Sequence, residues 1–264
     1  VPASQVVEIR VPSRGDEADL VLFFGQSNCE GWAHPEGLPA GLRGAQPVVR
    51  IWNVVERRWQ AVEAGRNTNY SPGAPFFGAE LGLAAAAAGQ TTPVWIIKAA
   101  QSPSSLGPTP GPWNEWGAHA GELYPLLIAR VEMAADAIRK QGLVPRVRAI
   151  WMMQGESDAL EKGLARGYAG HLEELLLTLR VDLELRDLVG RVPPRLRIGL
   201  IDARLGALGL PWTGRVRDAQ RAVAANLSDC AVVETSDLSV LADGIHFDAA
   251  GLVELGRRLF GDGP

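Results

Sequence analysis

Polar residues follow apolar runs at three separate places in this sequence of 264 residues. Ser27 follows "LVLFFGQ", Gln154 follows "IWMM", and His246 lies in "DGIHFD". A serine hydroxyl is a weak nucleophile until a histidine takes its proton, and that histidine needs a carboxylate on its other ring nitrogen. Asp243 lies three residues before His246, so one turn can supply both side chains. Together these residue types predict acyl transfer.

Each of these residues has a plainer explanation when it is taken alone. A serine after a strand is commonly a turn or cap residue, and an aspartate near a helix start often caps that helix. Gln154 alone would satisfy loop backbone, and Glu156 alone would be a solvated or capping acid. Only their joint placement at one edge of a sheet favours chemistry.

That joint placement depends on strands that deliver the residues to a common edge. Continuous apolar runs of this length are typical of strands covered on both faces, as in a parallel sheet. Helical patterns lie between the runs, so right-handed βαβ crossovers and a three-layer α/β/α sandwich with a five-stranded parallel sheet are predicted. Ligands in such sheets bind outside the carboxyl ends of the strands. The predicted strands are Leu20–Phe24, Val94–Lys98, Arg148–Met153, Leu196–Ile201 and Ala231–Glu234, and the predicted helices are Gly78–Ala88, Gly121–Gln141, Ala165–Leu188, Gly214–Asn226 and Ala249–Phe260.

The length of the chain and the absence of a low-complexity linker predict one domain over residues 1–264. Residues 1–18 form an N-terminal extension in this prediction. Residues 30–75 and 101–120 are rich in Gly, Pro and Trp and exceed ordinary connections, which indicates functional loops.

Composition excludes several classes of partner. The chain carries 26 basic and 30 acidic residues, a formal charge of −4, and shows no Lys/Arg cluster suited to nucleic acid or anionic lipid. No apolar run reaches the roughly 20 residues of a membrane-spanning helix.

The first residues do not resemble a signal peptide, but a mature secreted chain would have lost one, so export stays undecided. Cys29 and Cys230 allow one disulfide or two free thiols, and free thiols are favoured.

Four segments together resemble a known family. "FFGQSN", "FFGAELG", "IWMMQGESDA" and "DGIHFDAAG" are similar, in this order, to the blocks of the SGNH hydrolase superfamily, specifically carbohydrate esterases of the sialate O-acetylesterase and acetylxylan esterase (family 6-like) type. The likeness spans roughly residues 19–260. It implies a flavodoxin-like SGNH fold and a serine esterase that removes O-acetyl groups from carbohydrates through an acyl-enzyme, without a cofactor or metal.

The resemblance also implies roles for individual residues. Ser27 would be the nucleophile, His246 the general base and Asp243 its orienting acid. The oxyanion hole would combine the N–H of Ser27, the side-chain amide of Gln154 and a backbone N–H after the second strand. There the family's Gly-Gly pair is replaced by "SPSS", so Ser102 is the expected donor because Pro103 has none. Supporting roles fall to Gly25, Gln26, Asn28, Gly155 and Glu156, with Asn28 favoured as a residue that bonds its own turn.

The long loops are expected to select the sugar. Trp32, Trp113 and Trp116 lie in or beside them, and an indole offers a sugar ring a flat apolar platform with a polar edge. Equally, these tryptophans could pin the loops to the body of the protein. The expected partner is an acetylated carbohydrate, with no nucleic acid or membrane partner, and the oligomeric state stays open.

Four other functions stay open at this point. The altered "SPSS" segment could indicate a carbohydrate-binding or virion-type module that kept the fold and lost turnover, and a broad short-chain esterase would use the same residues. A metallohydrolase on His246 and Asp248 is weaker, since His34, His119 and His171 show no metal spacing. Cys29 is the least favoured alternative nucleophile.

Overall fold

A mixed β-sheet forms the centre of the protein in the computed structural model, which describes residues 9–69, 75–109, 114–119 and 121–261. Within these residues seven strands form the sheet in the order β3-β2-β4-β1-β7-β8-β9, and all neighbours are parallel except β2 and β3. The strands are β1 Glu17–Gly25, β2 Gln46–Asn53, β3 Arg58–Val62, β4 Val94–Ala100, β7 Val144–Met153, β8 Arg195–Gly199 and β9 Cys230–Val233. A separate pair of short strands, β5 Ser104–Ser105 and β6 Asn114–Glu115, lies in the loop after β4.

The prediction of five strands is wrong by two, because β2 and β3 form a hairpin inside the connection that was interpreted as a loop. β2 joins the sheet beside β4 and β3 closes its outer edge. Pro47 and Arg50 interrupt the apolar pattern of β2, and β3 is only partly buried, so neither strand gives a continuous apolar run. All five predicted strands are present, with shifted ends.

Six helices surround the sheet in the described residues. They are α1 Ser27–Glu30, α2 Glu80–Ala86, α3 Leu123–Arg139, α4 Lys162–Leu185, α5 Thr213–Asn226 and α6 Ala249–Phe260, with short 3₁₀ turns at Pro35–Gly37, Ala40–Leu42 and Ala203–Leu208. Helices α2 and α6 pack together on one face, and α3, α4 and α5 cover the other. The three-layer α/β/α sandwich is therefore confirmed.

Ring contacts show how the sequence assigns side chains to the two faces. Trp151 of β7 contacts Phe23 of β1 and Phe260 of α6, each edge to face. On the opposite face, the indole of Trp59 in β3 donates to the carbonyl of Ala134 in α3 at 3.1 Å. Because both faces are covered, the central strand β1 is apolar and buried from Leu20 to Phe24.

Helical periodicity and capping determine the longer helices. From Leu172 to Leu183 the buried leucines of α4 fall at positions i, i+3, i+4, i+7 and i+11, which places them on one side of the helix. Helix α6 begins where the Asp248 carboxylate accepts the backbone N–H of Gly251 at 2.9 Å. The buried leucines of α4 are Leu164, Leu172, Leu175, Leu176, Leu179 and Leu183. In the part of the chain that the structure describes, no helix has the length and apolar character needed to cross a membrane.

Candidate active site

The carboxyl ends of three adjacent strands meet at the centre of the sheet. Gly25, the last residue of β1, lies beside Ala100 of β4 on one side and Met153 of β7 on the other. The N–H of Gln26 donates to the carbonyl of Met153, and the N–H of Gln101 donates to that of Gly25, both at 3.0 Å. The loops carrying Ser27, Ser102 and Gln154 therefore begin at one point.

A tight turn at Gly25 presents Ser27 at this edge. Gly25 has a φ of 149°, and a Cβ there would lie 1.9 Å from the carbonyl oxygen of Met153. Only glycine tolerates that approach. The short helix α1 starts at Ser27, and the Ser27 N–H donates to no acceptor among the described residues. A free N–H at a helix start is a ready donor for an anion.

Asp243 holds the imidazole of His246 in a defined orientation. Its Oδ2 lies 2.7 Å from His246 Nδ1, while Oδ1 accepts the backbone N–H groups of Ile245 and His246 at 2.8 and 3.0 Å. Burial alone would raise the pKa of Asp243, but these hydrogen bonds hold that pKa below its ordinary value. An ionised Asp243 keeps the proton on Nδ1, which leaves Nε2 free to act as a base.

Asn28 joins the Ser27 turn to the His246 loop. Its Oδ1 accepts the N–H of Phe247 at 3.0 Å, and its Nδ2 donates to the carbonyl of Ile245 at 3.1 Å. Asn28 thus bonds both neighbours of His246, instead of its own turn as the sequence favoured. Within the described residues, the Ser27 hydroxyl makes no hydrogen bond to His246. The two side chains belong to directly connected loops, and catalytic hydrogen bonds are often longer without substrate.

Glu156 lies beneath this connection as a buried acid. Its Oε1 accepts the amide of Asn28 at 2.8 Å, and its Oε2 is buried with no partner in the described residues. Burial raises the pKa of Glu156, although the hydrogen bond from Asn28 and the charge available on His246 act in the opposite direction. The acid is therefore a buried support for the Asn28 bridge, not the solvated residue that was one alternative.

The expected oxyanion donors differ in their availability. The N–H of Ser102 has no acceptor in the described part of the chain. The amide nitrogen of Gln154 instead donates to the Ser104 carbonyl at 3.0 Å and to the Asp158 carboxylate at 2.6 Å. Both amide hydrogens of Gln154 are thus directed into the protein, and its Oε1 is buried without a partner among the described groups. This arrangement does not present Gln154 as a donor to substrate.

Gln26 has a free amide nitrogen at the same edge. Its Oε1 accepts the N–H groups of Gly155 and Ser157, both at 3.3 Å, and a longer contact of 3.4 Å from Gln154. These contacts fix the orientation of the Gln26 amide. Its Nε2 has no partner among the described residues, so Gln26 offers the side-chain donor that was expected from Gln154.

Asp158 is a buried carboxylate that sequence reasoning missed. Besides Gln154, it accepts the N–H of Leu106 at 3.1 and 3.2 Å, which ties the loop after β4 to the loop after β7. Burial raises the pKa of Asp158 to about 7, against the hydrogen bonds from Gln154, Leu106 and Gly107. Its place in "QGESDA" marked it as part of a motif but gave no role.

We expect the Asp158→Asn substitution to remove a pH dependence of stability. The folded pKa lies above the unfolded one, so between about pH 4 and pH 7 the folded state holds a proton that the unfolded state releases. As the pH rises through this window, the free energy of unfolding of the unchanged chain should therefore fall relative to that of the variant. The fall should be up to about 1.4 kcal/mol per pH unit. Urea unfolding at a series of pH values measures this, and two parallel pH curves would contradict it.

A buried ion pair supports the Ser27 turn from below. Lys98 of β4 and Glu80 of α2 both have fully buried side chains, 2.9 Å apart. The Lys98 ammonium also donates to the carbonyls of Glu30 and Thr68, both at 2.6 Å. Glu30 ends α1, so Lys98 anchors the helix that carries Ser27. A lysine within "VWIIKAA" and a glutamate within "FFGAELG" were visible in the sequence, but their pairing was not.

The three tryptophans have different surroundings. Trp32 is 41 % exposed and stacks on the imidazole of His246, with ring centroids 4.6 Å apart and planes 3° from parallel. Trp116 is 2 % exposed, packs on Phe24 and donates to Ser104 Oγ. Trp116 therefore cannot receive a sugar, which corrects that prediction. Trp113 lies outside the described residues.

Cys29 is unsuited to act as the nucleophile. Its side chain is fully buried, and burial raises its thiol pKa well above the ordinary value. A thiol that resists ionisation is a poor nucleophile. Cys29 and Cys230 are both free thiols, as expected. The described residues contain no cluster of three or more His, Cys, Asp or Glu side chains that could hold a metal ion.

The sequence matches a family of known proteins over most of its length. Residues 17–262 match the family model described as "Carbohydrate esterase, sialic acid-specific acetylesterase". A probable carbohydrate esterase of Arabidopsis thaliana is 30 % identical over 148 residues, which are 55 % of this chain and 48 % of the relative. The matched region thus spans about half the length of that curated relative.

Two solved structures share the fold. A structure of an Arabidopsis thaliana protein aligns with a TM-score of 0.71 at 19 % identity, covering 91 % of this chain and 95 % of the other. A carbohydrate acetylesterase from Xanthomonas citri aligns with a TM-score of 0.60 at 16 % identity, covering 91 % and 55 %. At these identities the likeness concerns the fold.

Proposed function

Because the chain belongs to the carbohydrate esterase family of sialic acid-specific acetylesterases, we propose that it hydrolyses O-acetyl esters on sugars, with Ser27 as nucleophile. One observation carries this proposal: Asn28 bonds both neighbours of His246, which brings the Ser27 turn to an imidazole already held by Asp243. The names of the carbohydrate esterase and acetylesterase relatives support the same substrate class.

In the first half of the reaction, Ser27 Oγ attacks the acetyl carbonyl carbon. His246 Nε2 takes the hydroxyl proton, and Asp243 stabilises the resulting imidazolium through Nδ1. When the tetrahedral intermediate breaks down, His246 returns that proton to the departing sugar oxygen. The sugar leaves as an alcohol and the acetyl group stays on Ser27.

In the second half, water attacks the acetyl group while His246 takes a proton from the water. The proton then passes to Ser27 Oγ, and acetate leaves. The carbonyl oxygen carries negative charge in both tetrahedral intermediates. The N–H groups of Ser27 and Ser102 are the donors proposed to receive it, with Gln26 Nε2 as a third.

A serine-directed phosphonate gives a direct test of the nucleophile. An aryl phosphonate should label the chain once, with the added mass on the peptide that contains Ser27, and should abolish release of acetate from acetylated sialic acid, acetylated xylan or an aryl acetate. The Ser27→Ala variant should neither label nor turn over, whereas Ser157→Ala should do both. An unlabelled but folded chain would favour an inactive carbohydrate-binding module. Acetate release only from the aryl ester would favour a broad short-chain esterase.

Trp32→Ala is expected to lower kcat by roughly 2- to 10-fold. The stacked indole holds one face of the His246 ring, and aromatic pairs contribute about 0.5–1.5 kcal/mol beyond area burial. Trp32→Phe keeps a flat ring and should recover most of the rate. If Trp32→Ala raises KM for acetylated sugars and leaves kcat unchanged, the indole binds sugar and does not position His246.

A further inference from the structure

A second cleft lies away from the Ser27 edge of the sheet. It has a volume of about 450 Å³ and lies on the face that α3 covers. Trp95 in its wall pairs with Leu20, while the active site begins at Ala100, which pairs with Gly25. Five residues of strand separate these levels, or about 17 Å. The wall includes Arg10, Arg50, Arg57, Arg58, Trp59 and Trp95.

Among the described residues, four arginines and no carboxylate line this cleft. Arg10 pairs with Asp16 and Arg58 pairs with Glu56, in both cases with more than half of the arginine side chain exposed. Arg50 is half-buried in β2, and Arg57 is exposed in the β2–β3 turn.

Neither Arg50 nor Arg57 has a carboxylate partner among the described residues. The whole chain carries a formal charge of −4, so this local excess of positive charge is a property of the cleft. A half-buried guanidinium group without a counter-ion, as at Arg50, favours an anionic ligand, and the exposed Arg57 adds positive charge beside it.

The cleft has a rigid apolar wall, in which the indole of Trp59 is partly exposed and that of Trp95 is 6 % exposed. Trp59 and Trp95 pack edge to face, with centroids 5.0 Å apart and planes at 88°. The Trp59 N–H is fixed on the carbonyl of Ala134 at 3.1 Å, and Trp52 also packs edge to face on Trp59. Pro12 and Pro93 extend the apolar surface. A ligand that fits this wall has a flat or ring-shaped apolar face as well as negative charge.

We propose that this cleft binds a carboxylate-bearing sugar residue, of the uronic acid or sialic acid class. The planar guanidinium fork of Arg50 or Arg57 matches a carboxylate in two parallel hydrogen bonds, and an indole suits the apolar face of a pyranose. The choice of a carbohydrate among anions rests on the proposed function. Binding here leaves the Ser27 edge open, so one acidic glycan can be held at two points and the local concentration of its acetyl groups rises.

Calorimetric titration tests the cleft with four probes: a methyl glucuronide, a methyl glycoside of N-acetylneuraminic acid, a neutral methyl glucoside and inorganic phosphate. At least one acidic sugar should bind saturably, and its affinity should fall with added salt. The double variant Arg50→Gln/Arg57→Gln should weaken that binding at least tenfold. Arg191→Gln, which removes one exposed charge elsewhere, should leave it unchanged.

The outcomes separate this proposal from the esterase proposal. The Arg50→Gln/Arg57→Gln variant and the Arg191→Gln variant should both hydrolyse an aryl acetate as fast as the unchanged chain. None of these three arginines contacts the Ser27 turn. Absence of acidic sugar binding, or binding that the double variant retains, overturns the cleft proposal even if the esterase is active. Phosphate that binds as tightly as the sugars overturns the carbohydrate assignment. Acidic sugar binding by a chain without esterase activity would instead defeat only the proposed function.

Discussion

The Asp243→Asn variant is expected to hydrolyse acetyl esters with a kcat about 10⁴-fold below that of the unchanged chain, by analogy with triad enzymes. In the structure, Asp243 Oδ1 accepts two backbone N–H groups and Oδ2 faces His246 Nδ1. An asparagine must keep its oxygen on the backbone donors, so its NH₂ group would face Nδ1. Since that group can only donate, Nδ1 loses its proton and Nε2 carries it instead. A protonated Nε2 cannot accept the proton of Ser27.

The control for this variant is Asp248→Asn. Asp248 lies two residues after His246 and caps α6, and asparagine is an equally good N-cap residue. Its kcat should stay within about twofold of the unchanged chain. If Asp248→Asn were the damaging change and Asp243→Asn were tolerated, the Ser-His-Asp assignment would fail and an unrelated role for the His246 loop would be required. Both rates are measured under single-turnover and steady-state conditions on one aryl acetate.

Lys98→Met is expected to lower the free energy of unfolding by about 3–5 kcal/mol, because it leaves the Glu80 carboxylate buried without a counter-ion. The substitution should also lower kcat. Lys98 is the donor to the carbonyl of Glu30 at the end of α1, and Ser27 begins that helix. Urea unfolding and kcat are measured on the same preparations.

A double variant separates stability from positioning. Lys98→Met/Glu80→Leu removes both charges and should recover much of the lost stability, since apolar replacements of buried pairs are often nearly neutral. Its kcat should nevertheless stay about tenfold or more below normal, because the Glu30 carbonyl still lacks its donor and small misplacements of a nucleophile are costly. Full recovery of kcat in the double variant would reduce the pair to a purely structural role. Arg66→Met, which breaks an exposed pair with Glu63, should cost at most about 1 kcal/mol.

The sequence was sufficient for the parts of the fold that are locally encoded. Helix α6 has the predicted bounds because Asp248 caps its start and Gly261 follows its end. The central strands were visible because burial on both faces requires continuous apolar runs. The β2–β3 hairpin was missed because an edge strand is only half-buried, and its pattern resembles that of a loop with scattered tryptophans. The family assigned from the four motifs is confirmed by the match over residues 17–262.

The candidate site was predictable only where chemistry and position coincide. Ser27, Asp243 and His246 stand out by residue type, and the bond between Asp243 and His246 follows from their spacing. The partners of Asn28 lie 128 to 219 residues away in the sequence, so no local pattern could identify them. The orientation of an amide depends on all of its neighbours, and Asp158 turned that of Gln154 inward. The nucleophilic role of Ser27 stays a prediction.

The two outermost strands also bear on how this protein behaves at high concentration. β3 has five residues and β9 has four, and the guanidinium of Arg58 stands exposed at the start of β3. A neighbouring molecule that added a strand to either rim would form few ladder hydrogen bonds, and at β3 it would also have to desolvate the Arg58 guanidinium. Short rims of this kind, one of them carrying a charge, discourage edge-to-edge stacking into fibres.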